Sequence, residues 1–144
     1  MTVATRRYEI DMGHMLPTHL GKCFHAHGHR YVIEADVTTD QGLDRPGAPD
    51  DGMVMDFAVI KQVMADVLEQ YDHRFLICES DAEHITMTSM VGRGVIAVPY
   101  IPTAENLASY WADEIGDELS NHNAELVELR VWETPNACAT WRPS

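Results

Sequence analysis

The sequence predicts an α+β domain built on a mostly antiparallel sheet, and three observations lead there. Residues 6–14 and 27–37 alternate apolar and polar side chains with the period of a half-buried strand. Residues 57–71 and 104–120 repeat their apolar side chains every three or four positions, as amphipathic helices do. The helices follow runs of strand instead of alternating strictly with them, giving the order β-β-α-β-α-β. At 144 residues the economical expectation is one domain over 1–144 with a substantial core.

In the first strand Tyr8, Ile10, Met12 and His14 share a face, with Arg7, Glu9 and Asp11 opposite. In the second, His27, His29, Tyr31, Ile33, Ala35 and Val37 lie opposite Arg30, Glu34 and Asp36. Histidines continue the apolar row in both strands, so three imidazoles are expected on the buried side of one sheet. Residues 40–52, rich in Gly, Pro and Asp, read as a connection within the domain. Asp56 is placed to cap the first helix, whose stripe runs Phe57, Ile60, Met64, Val67, Leu68 and Tyr71. Asp72 and His73 stand just past its end.

Residues 78–94 are expected to form a loop or short hairpin, and residues 95–100 a short apolar strand with Pro99 near its end. Thr103 is placed to cap the second helix, in which Leu107, Trp111, Ile115 and Leu119 recur every four residues. The last strand, residues 125–134, sets Val127, Leu129 and Val131 on one face, with Glu133 next in that row.

The formal net charge of -13 argues against a nucleic-acid or anionic-membrane binder, which needs clustered Lys and Arg. A small anionic substrate remains compatible, because a few local cations can dominate a pocket. No run of about 18 apolar residues is present, and the N-terminus lacks the apolar core of a secretory signal. The expectation is a cytoplasmic protein without membrane association. Three cysteines without a C-x-x-C spacing suit free thiols in a reducing compartment.

The chemistry-bearing residues crowd into positions 12–33, which hold five of the eight histidines and Cys23. His27 and His29 are two apart on a strand and point the same way, so one ion can take both. Gly28 between them either leaves space above that ion or allows close backbone approach. His14 supplies a third nitrogen from the same face. Three nitrogens leave a tetrahedral ion one open position, the mark of a catalytic zinc site. His19 and His25 fall in the intervening loop and read as non-ligands.

A Cys23 thiolate near such an ion and Lys22 would have its charged form favoured, suiting a base or nucleophile. Asp72 beside His73 suggests a carboxylate-oriented imidazole for proton transfer. Glu133 could accept a pair of N–H bonds from a heterocycle. Lys22, Arg30, Arg74 and Arg93 are candidate phosphate contacts, which the sequence does not rank.

At these residues the chain resembles the 6-pyruvoyl-tetrahydropterin synthase family, most of all its 6-carboxy-5,6,7,8-tetrahydropterin synthase branch. The matching segments are I-D-M-G-H-M-L-P-T-H-L-G-K-C-F-H-A-H-G-H-R-Y at 10–31, G-M-V-M-D-F at 52–57, Asp72-His73, P-T-A-E-N-L at 102–107 and E-T-P at 133–135. They run in family order along nearly the whole chain. The spacing Cys23-x3-His27-Gly28-His29 looks like the carboxy branch, since the pyruvoyl-forming branch has a longer gap. Three positions depart from the pattern. After Asp72-His73 the family usually has a leucine–asparagine pair, whereas here the chain reads R-F-L-I-C-E; Ala104 stands at a position that is often threonine; and residues 79–98 are longer than in compact bacterial members.

The resemblance implies the tunnelling fold, a four-stranded antiparallel sheet with two helices on one face, assembling through a barrel into a homohexamer of two trimers. It implies a zinc enzyme of the lyase class in queuosine and 7-deazaguanine biosynthesis. The implied substrate is 7,8-dihydroneopterin triphosphate, with 6-carboxy-tetrahydropterin, acetaldehyde and triphosphate as products. His14, His27 and His29 would be the zinc ligands and Cys23 the catalytic thiol. Asp72 and His73 would come from a neighbouring subunit. Glu133 would anchor the pterin, with Glu105 and Thr103 lining the same pocket. A pyruvoyl-forming synthase and a non-catalytic zinc-binding or scaffold paralogue are the alternatives.

Overall fold

The computed structural model describes residues 1–17, 21, 25–84 and 93–144. Its strands are β1 (Ala4–His14), β2 (His27–Thr38), β3 (Phe75–Cys78), β4 (Val95–Val98), β5 (Glu125–Thr134) and β6 (Ala137–Trp141). The helices are α1 (Phe57–Leu68), continued by a 3-10 turn at Glu69–Tyr71, and α2 (Ala104–Ser120). The strands form one sheet in the order β4-β3-β1-β2-β5-β6. Among the described residues, no helix is long and apolar enough to cross a membrane.

The α+β architecture agrees with the expectation, but the sheet has six strands, not four, and is mixed. β1, β2, β5 and β6 pair antiparallel, while β3 runs parallel to β1 and β4 parallel to β3. Two of these strands carry no sequence signal of their own. β3 is four residues of continuous apolar sequence directly after a helix, too short to show a period. β6 is exposed at most of its positions, so nothing alternates strongly. The 3-10 segment Glu79–His84 follows β3 where a loop or hairpin was expected.

The alternation of β1 and β2 sets their register, with Met12 opposite His29, Gly13 opposite Gly28 and His14 opposite His27. Asp56 caps α1, its side chain accepting a hydrogen bond from the Ala58 N–H. Thr103 caps α2 by accepting from the Asn106 N–H. Both helices cover one face, where Ile33, Tyr31, Leu129 and Val131 of the sheet meet Met64, Leu68, Leu107, Trp111, Ile115 and Leu119.

Two positions differ from the periodic reading. Phe57, the first residue of α1, is exposed although it falls on the apolar stripe. In β5 it is Leu126, not Val127, that is buried with Leu129. The pairing register slips between Asp36 and Val37, opposite Val127, and such a β-bulge shifts the inward row by one residue.

The opposite face is charged. The Arg130 guanidinium forks onto both Asp36 carboxylate oxygens at 2.8 and 3.0 Å and also bonds Glu34 and Glu128. Trp132 Nε1 donates to Glu34 at 2.7 Å. The Arg130 hydrogen bonds hold the Asp36 and Glu128 carboxyls below the usual carboxylate range, against the opposing effect of burial.

Candidate functional site

Strand parity brings His14, His27 and His29 together on the helix-covered side of the sheet, at the end of β1 and the start of β2. One ring nitrogen from each lies within 4.8 Å of the others. His14 is buried and the other two are half-buried. The ring centroids are 4.5 Å apart for His14 and His27, 5.2 Å for His14 and His29, and 4.9 Å for His27 and His29.

Two backbone carbonyls orient the rings. His14 Nδ1 lies 2.6 Å from the Pro102 carbonyl oxygen, and His27 Nδ1 lies 2.6 Å from that of His25. A carbonyl only accepts, so each Nδ1 carries the proton and each neutral ring presents a lone pair at Nε2. Those two Nε2 atoms face each other at 2.9 Å. Two lone pairs at that distance repel unless a proton or a cation sits between them. Among the described residues, the buried Nε2 of His29 also lacks a hydrogen-bond partner. The donor set therefore fits a metal ion, and three imidazoles suit zinc.

Burial pushes the His14 imidazole below its usual pKa, with the Pro102 carbonyl and Glu133 opposing. Burial likewise lowers His29, again against Glu133. Neutral rings are the metal-binding form.

Glu133, at the end of β5, places Oε1 3.8 Å from His14 Nε2, beside the cluster. Pro102 precedes α2, so the loop that holds His14 also carries Thr103 and Glu105 up to it. The Thr103 hydroxyl is engaged as the helix cap, and Glu105 is exposed in the first turn. Gly28 does not leave space above the histidines, because its missing side chain would point to the opposite face. A Cβ there would lie 3.3 Å from the Met12 carbonyl oxygen, so its role is close strand approach.

Asp72 and His73 form a second group, with Asp11. The Asp11 N–H donates to Asp72 Oδ1 at 2.9 Å, and the His73 N–H donates to the Asp11 carbonyl at 2.6 Å. His73 Nδ1 then sits 3.1 Å from Asp72 Oδ1. Burial alone would raise the Asp72 carboxyl, but the Asp11 N–H and the His73 ring outweigh it and hold it low. His73 has a left-handed backbone, φ 60°, which is uncommon outside glycine. Within one chain the structure does not bring Asp72 and His73 into the histidine cluster.

Cys23, His19 and Lys22 lie outside the described residues. His25 is exposed and contributes its carbonyl, as just described. Sequence reasoning missed the Pro102 carbonyl and the Asp11 backbone, since main-chain groups carry no residue signature. It also missed Tyr31, whose hydroxyl lies 3.3 Å from His14 Nδ1.

The family model for 6-pyruvoyl tetrahydropterin synthase matches residues 3–144. A Rickettsia conorii protein named 6-carboxy-5,6,7,8-tetrahydropterin synthase is 34% identical over 139 residues, covering 94% of this chain and 96% of that one. One of the same name from Haemophilus influenzae is 28% identical over 137 residues, covering 92% and 93%. The fold resembles an uncharacterized protein of Wolinella succinogenes, with TM-score 0.76, 19% identity and full coverage of both chains. It also resembles Caenorhabditis elegans 6-pyruvoyl tetrahydropterin synthase, with TM-score 0.67, 24% identity and coverage of 99% and 96%. A match over nearly the whole length places the chain within the 6-pyruvoyl tetrahydropterin synthase family.

Proposed function

We propose that this chain is a zinc-dependent 6-carboxy-5,6,7,8-tetrahydropterin synthase, acting in the cytoplasm in 7-deazaguanine and queuosine biosynthesis. It would take 7,8-dihydroneopterin triphosphate and water to 6-carboxy-tetrahydropterin, acetaldehyde and triphosphate. The observation that carries the reading is the pair of Nε2 lone pairs facing each other at 2.9 Å while both Nδ1 atoms are engaged by carbonyls. The names of the relatives support the carboxy product over the pyruvoyl one.

His14, His27 and His29 would hold the ion, which when bound supplies Lewis-acid polarisation of the substrate's side-chain oxygens. Glu133 would accept the N–H groups of the pterin and so orient the ring beside the histidines. Cys23 is assigned the carbon-bound proton, which a thiolate can remove at neutral pH. His73, oriented by Asp72, would move a second proton. Thr103 and Glu105 would line the pterin pocket from the start of α2.

The reading makes the active unit an oligomer, a homohexamer of two trimers, in which Asp72 and His73 reach a neighbouring subunit's histidines. The exposed position of His73 on the other side of the sheet supports that division. The test is an anaerobic incubation with 7,8-dihydroneopterin triphosphate, read by product mass together with metal analysis. A 6-carboxy product with about one zinc per chain is expected. A pyruvoyl product would move the chain to the other branch, and no product from metal-loaded protein would leave only a metal-binding role.

A further inference from the structure

The open face of the sheet holds a feature that the site above does not use. Gly13 and Gly28 are cross-strand partners, so two adjacent positions of β1 and β2 present no side chain there. With the Phe75 ring packed against Gly13, they line a shallow depression of about 540 Å³ whose rim includes Arg30, His73, Arg74 and Arg93. Three of the chain's ten Lys and Arg residues thus border one depression, in a molecule of net charge -13.

The state of those arginines separates them from the rest. Arg7, Arg30, Arg45, Arg130 and Arg142 each meet a carboxylate at 3.2 Å or less. Arg74 and Arg93 meet none among the described residues, and unlike Arg6 they share a depression. Asp11, also on the rim, is engaged by Arg30 at 3.1 Å.

The fold holds the two arginines together. The Phe75 N–H donates to the Gly94 carbonyl at 3.0 Å, which starts the parallel pairing of β3 with β4 and sets residues 73–74 beside 93–94. Gly94 takes the left-handed region at φ 95°, and the Arg74 side chain lies beside it, with Cδ 3.6 Å and Nη1 3.7 Å from where a Cβ would stand. Guanidinium forks match phosphate oxygens in pairs, so two of them side by side suit a chain of phosphates.

We propose that Arg74 and Arg93, on the rim of this depression and beside His73, bind a polyphosphate chain, and that its source is the triphosphate of the substrate. The second clause rests on the function proposed above, while the first stands without it. Arg74 and Arg93 travel with His73, so whichever histidine cluster His73 serves also receives their charge.

The test is calorimetric titration of the as-isolated protein with inorganic triphosphate, with metal content measured in every sample. Wild type, the double variant Arg74→Ala/Arg93→Ala and the control Lys61→Ala, on the exposed side of α1, are compared. The double variant should bind at least about tenfold more weakly and the control within about twofold of wild type. A matching rise in KM for 7,8-dihydroneopterin triphosphate identifies the substrate's tail as the source. Loss of binding without that rise, or in a protein that does not turn this substrate over, keeps the polyphosphate site and rejects the assigned source. Equal binding by the double variant at equal metal content, or no binding by wild type, overturns the proposal.

Discussion

The His14 side chain is 1% exposed, and its ring is held by a carbonyl 88 residues away in sequence. The His73 side chain is 77% exposed and stands on a left-handed backbone at the end of a 3-10 turn. Both are histidines within hydrogen-bonding reach of an orienting oxygen, yet one is sealed under the helices and the other is presented outward. The cluster of His14, His27 and His29 is complete within a chain. Among the described residues, the Asp72–His73 pair is oriented by its own chain and stands apart from that chain's histidine cluster. On the function proposed above, the contrast makes the ion-holding half a product of folding and the proton-moving half a product of assembly.

The sharpest way to break that contrast is to remove a ligand. His27→Ala should lose the bound metal and lower turnover by about a thousandfold or more, the scale of a lost Lewis acid. Metal analysis beside product formation checks both, and stoichiometric metal in the variant would refute the assignment. His73→Ala should instead keep its metal while turnover falls by about 10²–10⁴-fold, the usual worth of a general acid or base.

Mixing these two inactive variants after co-refolding probes the division directly. If each site takes its ion from one chain and its His73 from another, about a quarter of the sites regain both intact halves. Recovery of activity toward that fraction is expected, and an inert mixture would return Asp72 and His73 to the chain that carries them.

A smaller effect is expected where the two halves touch. The Gly13 N–H donates to the Arg74 carbonyl at 2.9 Å, and a Cβ at Gly13 would fall 2.5 Å from the Phe75 ring. Gly13→Ala should therefore cost about 1–3 kcal/mol through overpacking at the junction of β1 and β3. Urea denaturation reads the cost, and an unchanged midpoint would mean the junction is loose.

The smallest effect lies on the charged face, far from both halves. Asp36 and Glu128 have carboxyls held low by Arg130, so their contribution is present above about pH 4 and fades as pH falls through their folded values. The urea midpoint should drop between pH 5 and pH 3 by the equivalent of about 1 kcal/mol for each such bond. In Arg130→Met that pH dependence should flatten while metal content stays the same.

Much of this was legible before any coordinates. Period-2 alternation put His14, His27 and His29 on one face, and the two helix caps at Asp56 and Thr103 are where side-chain chemistry places them. Less legible were elements whose positions depend on partners and not on pattern. β3 is a strand because β1 and β4 flank it, and β6 because β5 lies beside it. The bulge opposite Val127 left no composition signal and displaced one core position. Within the site, side-chain ligands announce themselves by type, while the Pro102 and His25 carbonyls and the Asp11 backbone do not.

The Pro102 carbonyl has one more implication. His14 and His27 are cross-strand partners that a local hairpin could bring together early, but the ring of His14 acquires its tautomer only when the chain just before α2 arrives. Contacts so distant in sequence close late in folding. A nascent or half-folded chain therefore displays histidines without a selective binding geometry. On the proposed reading, capture of an ion would therefore require that the segment just before α2 has docked against His14.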